Sequence, residues 1–173
     1  MNWKVISEEL KASSLSATES LLSRDDRDDI YALALFTSDD GASVSMAANT
    51  EQGYQARLAA EAEDEPNSPD DEAYYRWASS EWILEGWDRP AFSRLNALLA
   101  QQDTSDFDRY FANLIEAMIA ALAAVKEALG KQLADITAFV TVTDSDAAEA
   151  LENASASRIN APDLANRFLR RFG

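Results

Sequence analysis

The chain has 173 residues, with 31 acidic and 15 basic side chains, no cysteine and no histidine, for a formal charge of −16. This composition excludes disulfides, thiolate zinc sites and cysteine nucleophiles, and it removes imidazole, the usual general base and commonest metal ligand. A negative field of this size repels nucleic-acid phosphates and anionic headgroups and attracts basic proteins, so a basic protein partner is expected and direct nucleic-acid binding is disfavoured.

The length predicts one α+β domain over residues 1–173. The opening MNWKVISEEL lacks the basic region and apolar core of a secretory signal. The longest apolar run, Ala117 to Val125, has nine residues, against the roughly 20 that a spanning helix needs. A cytoplasmic protein without membrane association is expected.

Taken in order, Trp3, Ile6 and Leu10 at helical spacing, followed by Leu21 and Leu22, predict one or two helices. The charged run Arg24 to Asp29 reads as a solvated turn. Ile30 to Thr50 then predicts a hairpin. Alternation puts Ile30, Ala32, Ala34 and Phe36 on one face and Tyr31, Leu33 and Leu35 on the other. Both faces are apolar, as expected of a central strand. Asp40-Gly41 signals a tight turn, and Ala42 to Asn49, rich in Ser and Ala, reads as a weaker edge strand. Asn49 or Thr50 is placed to cap a helix from about Glu51 to Ala62.

Residues 61–72 hold seven acidic residues, two prolines and no basic residue, a composition that predicts a mobile loop. Glu61, Glu63, Asp64, Glu65, Asp70, Asp71 and Glu72 would offer a basic partner a dense negative surface. The segment Tyr74 to Trp87 holds three of the four tryptophans, and Ser79 or Ser80 would cap a short helix through Glu85. Pro90 opens a helix to about Gln101. The longest helix is predicted over about 104–129, starting at Thr104 or Ser105 and closing on Gly130. Its stripe Phe107, Phe111, Leu114, Met118, Leu122, Val125 and Leu129 is the pattern of a core helix.

Ile136 to Thr143 is the third predicted strand. Asp146 and Glu149 have the spacing of a capping box for the next helix, and a last helix runs from Pro162 to the terminal arginines. The predicted fold is thus α+β: a small, mainly antiparallel sheet made of the hairpin 30–49 and strand 136–143. The first strand is central, and several helices cover the sheet. The direction of the third strand is left open.

Five ordered motifs, YALALFTSDDG, SMAANTEQGY, YYRWASSEW, FVTVTDSD and SASRIN, resemble an uncharacterised bacterial family, domain of unknown function 4303. The resemblance implies a small α+β domain, and relatives that look like accessory or immunity genes of bacterial contact-toxin systems.

Polar residues gather at strand ends. Asn49 and Thr50 follow the second strand, and Asp144, Ser145 and Asp146 follow the third. With the third strand parallel to the second the two groups would meet, walled by Tyr75, Arg76, Trp77, Glu81 and Trp82 and closed by Ser155, Arg158 and Asn160. The same residue types also serve as turn caps. No Gly-rich phosphate loop, nucleophile elbow or zinc signature occurs, so no cofactor and no catalytic residue is assigned. The expected function is a non-catalytic protein-binding domain, of immunity or antitoxin type, that neutralises a basic toxin or effector. One alternative is a carboxylate-dependent enzyme holding Mg²⁺ or Mn²⁺ on Asp144, Asp146 and Glu149, or using a carboxylate pair for acid-base chemistry. Another is an acidic imitation of nucleic acid.

Overall fold

The computed structural model describes residues 2–63 and 66–173. Helix α1 (Trp3–Leu22) leads into strand β1 (Ile30–Thr37), followed by β2 (Val44–Thr50), α2 (Glu51–Glu61) and α3 (Pro69–Trp77). A short 3-10 turn (Ser79–Glu81) precedes β3 (Leu84–Trp87) and α4 (Arg89–Leu99). The chain continues through α5 (Phe107–Leu129), β4 (Thr137–Val142), α6 (Ala148–Ile159) and α7 (Pro162–Leu169).

The sheet has the order β3-β2-β1-β4. The β1–β2 and β2–β3 pairs are antiparallel and the β1–β4 pair is parallel. The sheet is therefore mostly antiparallel with β1 inside it, as its two apolar faces require. On one face Leu33, Leu35, Val44, Met46, Ala48 and Val140 meet the apolar stripes of α1, α4 and α5, including Leu10, Leu21, Phe92, Leu95, Leu114, Met118 and Leu122. On the other face Ala32, Ala34 and Ala47 are small enough for rings to lie close over them, and Trp82, Phe139 and Phe168 fill that space. Phe139 and Phe168 stand 4.7 Å apart, and Trp82 meets Phe139 at 5.6 Å.

Helix α7 is drawn onto this second face by Phe168 and by Arg171 just beyond its end. The Arg171 side chain is buried, pairs with Glu152 at 2.9 Å and covers the Phe168 ring at 4.0 Å. Thr141 donates its hydroxyl to the same carboxylate at 2.6 Å. Burial pushes the Glu152 carboxyl above its ordinary range, against the pull of Arg171 and Thr141.

The open edge of β4 is closed by side chains of α6. Asn160 accepts the Ala138 N–H at 2.9 Å and donates to the Ala138 carbonyl at 2.7 Å. Ser155 accepts the Val140 N–H at 3.0 Å. These two residues take the hydrogen-bonding place of a fifth strand and deny the edge to other chains.

Several expectations are corrected. The second strand is not an edge, because β3 pairs with it: Ala47 opposes Glu85 and Ala48 opposes Leu84. Leu84 to Glu85 is thus extended, and the helix expected from Ser79 or Ser80 is only the 3-10 turn. The predicted tight turn is a longer connection between Thr37 and Val44, in which Gly41 adopts φ +62° and donates to Ser38 at 3.0 Å. From Pro69 the expected acidic loop is helical, because Ser68 and Asp71 form a capping box around a proline in the first turn. Asp146 and Glu149 form no such box, and α6 starts after Ala147 without a side-chain cap. The long helix is capped by Asp106 and not by Thr104 or Ser105.

A further correction shapes the site. The register of β1 against β2 shifts between Ile30, opposite Thr50, and Ala32, opposite Asn49. Tyr31 is therefore the extra residue of a β-bulge. Strict alternation fails there: Ile30 joins the core of Leu33 and Leu35, while Tyr31 packs against the ring-filled face with Ala32 and Ala34.

Asn160→Ala removes both partners of the Ala138 peptide groups and leaves them buried. It is expected to lower stability by about 2 kcal/mol, read from the midpoint of urea unfolding.

Candidate functional site

The bulge aims Tyr31 at the last turn of α3. Its hydroxyl donates to the Arg76 carbonyl oxygen at 2.7 Å and accepts from the Asn49 side-chain amide at 3.0 Å. The Trp82 indole donates to the same Arg76 carbonyl at 3.1 Å. One helix-terminal carbonyl, otherwise without an intrahelical partner, is thereby satisfied twice and fixes the end of α3 to the sheet.

The Arg76 guanidinium turns the other way and meets Glu51 through both nitrogens, at 3.1 and 3.0 Å. It lies over the Tyr31 ring at 4.3 Å and the Tyr54 ring at 4.9 Å, an arrangement suited to a planar cation. Glu51 opens α2, where Thr50 caps by accepting the Gly53 N–H at 3.0 Å. Gly53 has no room for a side chain: a Cβ would stand 2.7 Å from Ile83 and 2.9 Å from the Asn49 oxygen. Arg76 holds the Glu51 carboxyl below the usual carboxylate range. Burial drives the Tyr31 phenol well above its ordinary value, and the positive charge of Arg76 only partly opposes this.

Beside this cluster lies a half-open cleft of about 150 Å³ lined by Tyr31, Arg76, Trp77, Asp135, Thr137, Leu164 and Arg167. Trp77 forms one wall, edge-on to Tyr31 at 5.8 Å and to Phe168 at 5.0 Å.

The residues singled out in the sequence divide into separate places. Asn49, Thr50, Arg76, Trp77 and Trp82 come together at the end of the sheet where β2 finishes and β1 begins. Asp144 and Asp146 lie exposed beyond the opposite end, after the parallel strand β4, where Thr143 donates to Thr37. The single pocket expected from all of them is therefore not formed, because β4 runs antiparallel to β2. Asn160 is occupied at the β4 edge, and Arg158 pairs outward with Glu116 at 2.8 Å. Glu81 pairs with Arg57, which also reaches Glu61, each at 2.9 Å. Among the described residues no group of three or more carboxylates is placed to hold a metal ion.

Of the acidic residues, Glu61 ends α2 and Glu63 is exposed after it. Asp70, Asp71 and Glu72 occupy the first turn of α3, where they suit the positive end of the helix. Asp64 and Glu65 lie outside the described residues. Ile83 and Tyr74 stand out on the same side of the molecule, 66% and 47% exposed, with the Tyr74 hydroxyl 3.5 Å from Glu81.

Asp135, Thr137 and Arg167 carry no signal in the sequence. One precedes a strand, one belongs to it, and one reads as a cation near a helix end. Only the packing of α7 against the ring-filled face brings them to one cleft.

The geometry defines an acidic α+β domain with a mixed four-stranded sheet and an arginine-centred aromatic cluster at one end. The chain belongs to the family described as Domain of unknown function (DUF4303), whose model matches residues 10–161. The match extends from within α1 through α6 and so includes the whole sheet. No similarity to a curated protein or to a solved structure is found. No helix among the described residues is long and apolar enough to cross a membrane.

Tyr31→Phe leaves the Asn49 amide without its acceptor and is expected to cost about 1–2 kcal/mol. The folded-state phenol titrates above the unfolded value of about 10, so its contribution is complete below pH 10 and is lost as pH rises beyond it. Stability of the parent protein should fall more steeply above pH 10 than that of Tyr31→Phe, measured by urea unfolding at each pH.

Proposed function

We propose that this protein is a non-catalytic binding domain that takes a basic protein partner on the face made by α2, α3 and the 3-10 turn. The observation that carries this reading is a concentration of charge around exposed apolar groups. Residues 51–85 contain ten acidic and two basic side chains, a net −8 against −16 for the whole chain. Both cations are already engaged, Arg57 by Glu61 and Glu81, and Arg76 by Glu51. The field of this face is thus left negative, while Ile83 and Tyr74 stand available as anchors. Charge of this kind steers encounter, and desolvated apolar side chains at the centre supply much of the affinity.

The partner class is a basic toxin or effector held inactive in the cytoplasm, as an immunity or antitoxin-type protein would do. That half of the reading rests on the family resemblance carried by the five sequence motifs.

The test is calorimetric titration with the product of the neighbouring gene. A complex is expected at low salt, weakened about tenfold or more as ionic strength rises toward 0.5 M. Ile83→Ser should weaken it about tenfold with the melting temperature unchanged. Absence of a complex at low salt would overturn the proposal. Displacement of this protein by DNA from the same partner would point to imitation of nucleic acid.

A further inference from the structure

The cleft beside Tyr31 holds an anion, a cation and a hydroxyl that the fold leaves unused. Asp135 sits in the turn before β4 and Arg167 on α7, and among the described residues neither forms an ion pair with the other or with any third group. Lys126, a cation close to Asp135, gives its ammonium to the carbonyls of Leu133 and Ile136, at 2.7 Å each. Arg76 is likewise spent on Glu51.

Thr137 supplies a second, independent observation. It is only 4% exposed. Alternation along β4 puts its side chain on the face of Phe139 and Thr141, the same face that α7 covers. Thr141 donates to Glu152, but the Thr137 hydroxyl has no hydrogen-bond partner among the described residues. A hydroxyl that opens onto the cleft from an otherwise buried residue, without a protein partner, is a place where a ligand gains a hydrogen bond at little cost.

We propose that this cleft binds a small zwitterion of free amino-acid size. Its ammonium group meets Asp135, its carboxylate meets Arg167 and the Thr137 hydroxyl, and its side chain lies against Trp77 and Leu164. The volume of about 150 Å³ is well below the roughly 300 Å³ at which ordinary drug-sized sites begin, so only a small molecule enters. Charge selects among small molecules. A chain of net −16 repels a free anion approaching Arg167, and a simple cation on Asp135 leaves Arg167 and Thr137 unsatisfied. A neutral molecule carrying both charges meets neither penalty. The cleft adjoins the partner-binding face through Arg76 and Trp77 at the end of α3, but Asp135, Thr137 and Arg167 lie outside that face, so failure of this site would leave that reading untouched.

The experiment is a titration of the full chain with a panel of free amino acids, followed by ¹H–¹⁵N NMR and thermal shift, beside acetate and methylammonium. At least one amino acid is expected to saturate with a dissociation constant of about 1 mM or tighter and to move the Trp77 indole and Thr137 amide signals. Arg167→Gln, Asp135→Asn and Thr137→Val should each weaken binding about tenfold, the loss of one charge-assisted or buried hydrogen bond. Arg167 and Asp135 are exposed, so their variants decide the matter even if Thr137→Val folds poorly. The proposal is overturned if no amino acid saturates by about 10 mM, if acetate or methylammonium binds as well as the best amino acid, or if Arg167→Gln and Asp135→Asn bind it undiminished.

Discussion

Strand β1 has apolar side chains on both faces and a hydrogen-bonded neighbour on both edges, so all of it is buried except Tyr31 and Phe36, which are half-buried. The asymmetry of its two faces decides what covers each. Leu33 and Leu35 are bulky and take the ridged surfaces of α1, α4 and α5. Ala32 and Ala34 leave a shallow floor that aliphatic helices would cover poorly and that flat rings fill well. The aromatic segment after α3 and the phenylalanine of α7 are the complement of those alanines. Small residues in the centre of the sheet thereby dictate where two separate pieces of the chain must come to rest.

The bulge at Tyr31 converts this packing into a polar site. By turning one residue to the alanine face it inserts a phenol among the rings, and the phenol then requires partners. Asn49 and the Arg76 carbonyl supply them, the end of α3 is drawn in, and Arg76 is brought over Glu51 at the start of α2. A local irregularity of one strand thus aligns two helices and leaves a gap at their margin where α7 meets β4. Bulges commonly accompany functional sites for this reason: they re-aim a side chain without disturbing the rest of the ladder.

The elements with strong periodicity were legible in the sequence. The stripe of α5, the doubly apolar β1 and the β-branched run of β4 each predict their element and their place in the core. What escaped was decided by distant contacts. Leu84-Glu85-Gly86-Trp87 has no β-branched residue and contains glycine, so only pairing with β2 makes it a strand. Composition argued for disorder across residues 61–72, whereas the Ser68-Pro69-Asp71 start signal was the better guide from Pro69 onward. The spacing of Asp146 and Glu149 imitated a cap that the backbone at Ala147 does not use. At the site, Arg76, Trp77 and Trp82 could be named from the aromatic segment, but the direction of β4 could not, and that direction separates Asp144 and Asp146 from them. Alternation places Tyr31 on the wrong face because it gives no warning of a bulge.

The parallel pairing of β1 with β4 also bears on how the chain reaches this state. The β1–β2 hairpin closes over a short connection and forms early, but Ala32 finds Thr137 only after most of the chain has been made. Until then one edge of a strongly apolar strand stands open while synthesis continues through α5. In that interval the acidity concentrated between α2 and β3 makes like-charged nascent chains keep one another at a distance. The edge is sealed by β4, and β4 in turn by Ser155 and Asn160, so vulnerability to mispairing passes outward along the sheet and ends in two small polar side chains.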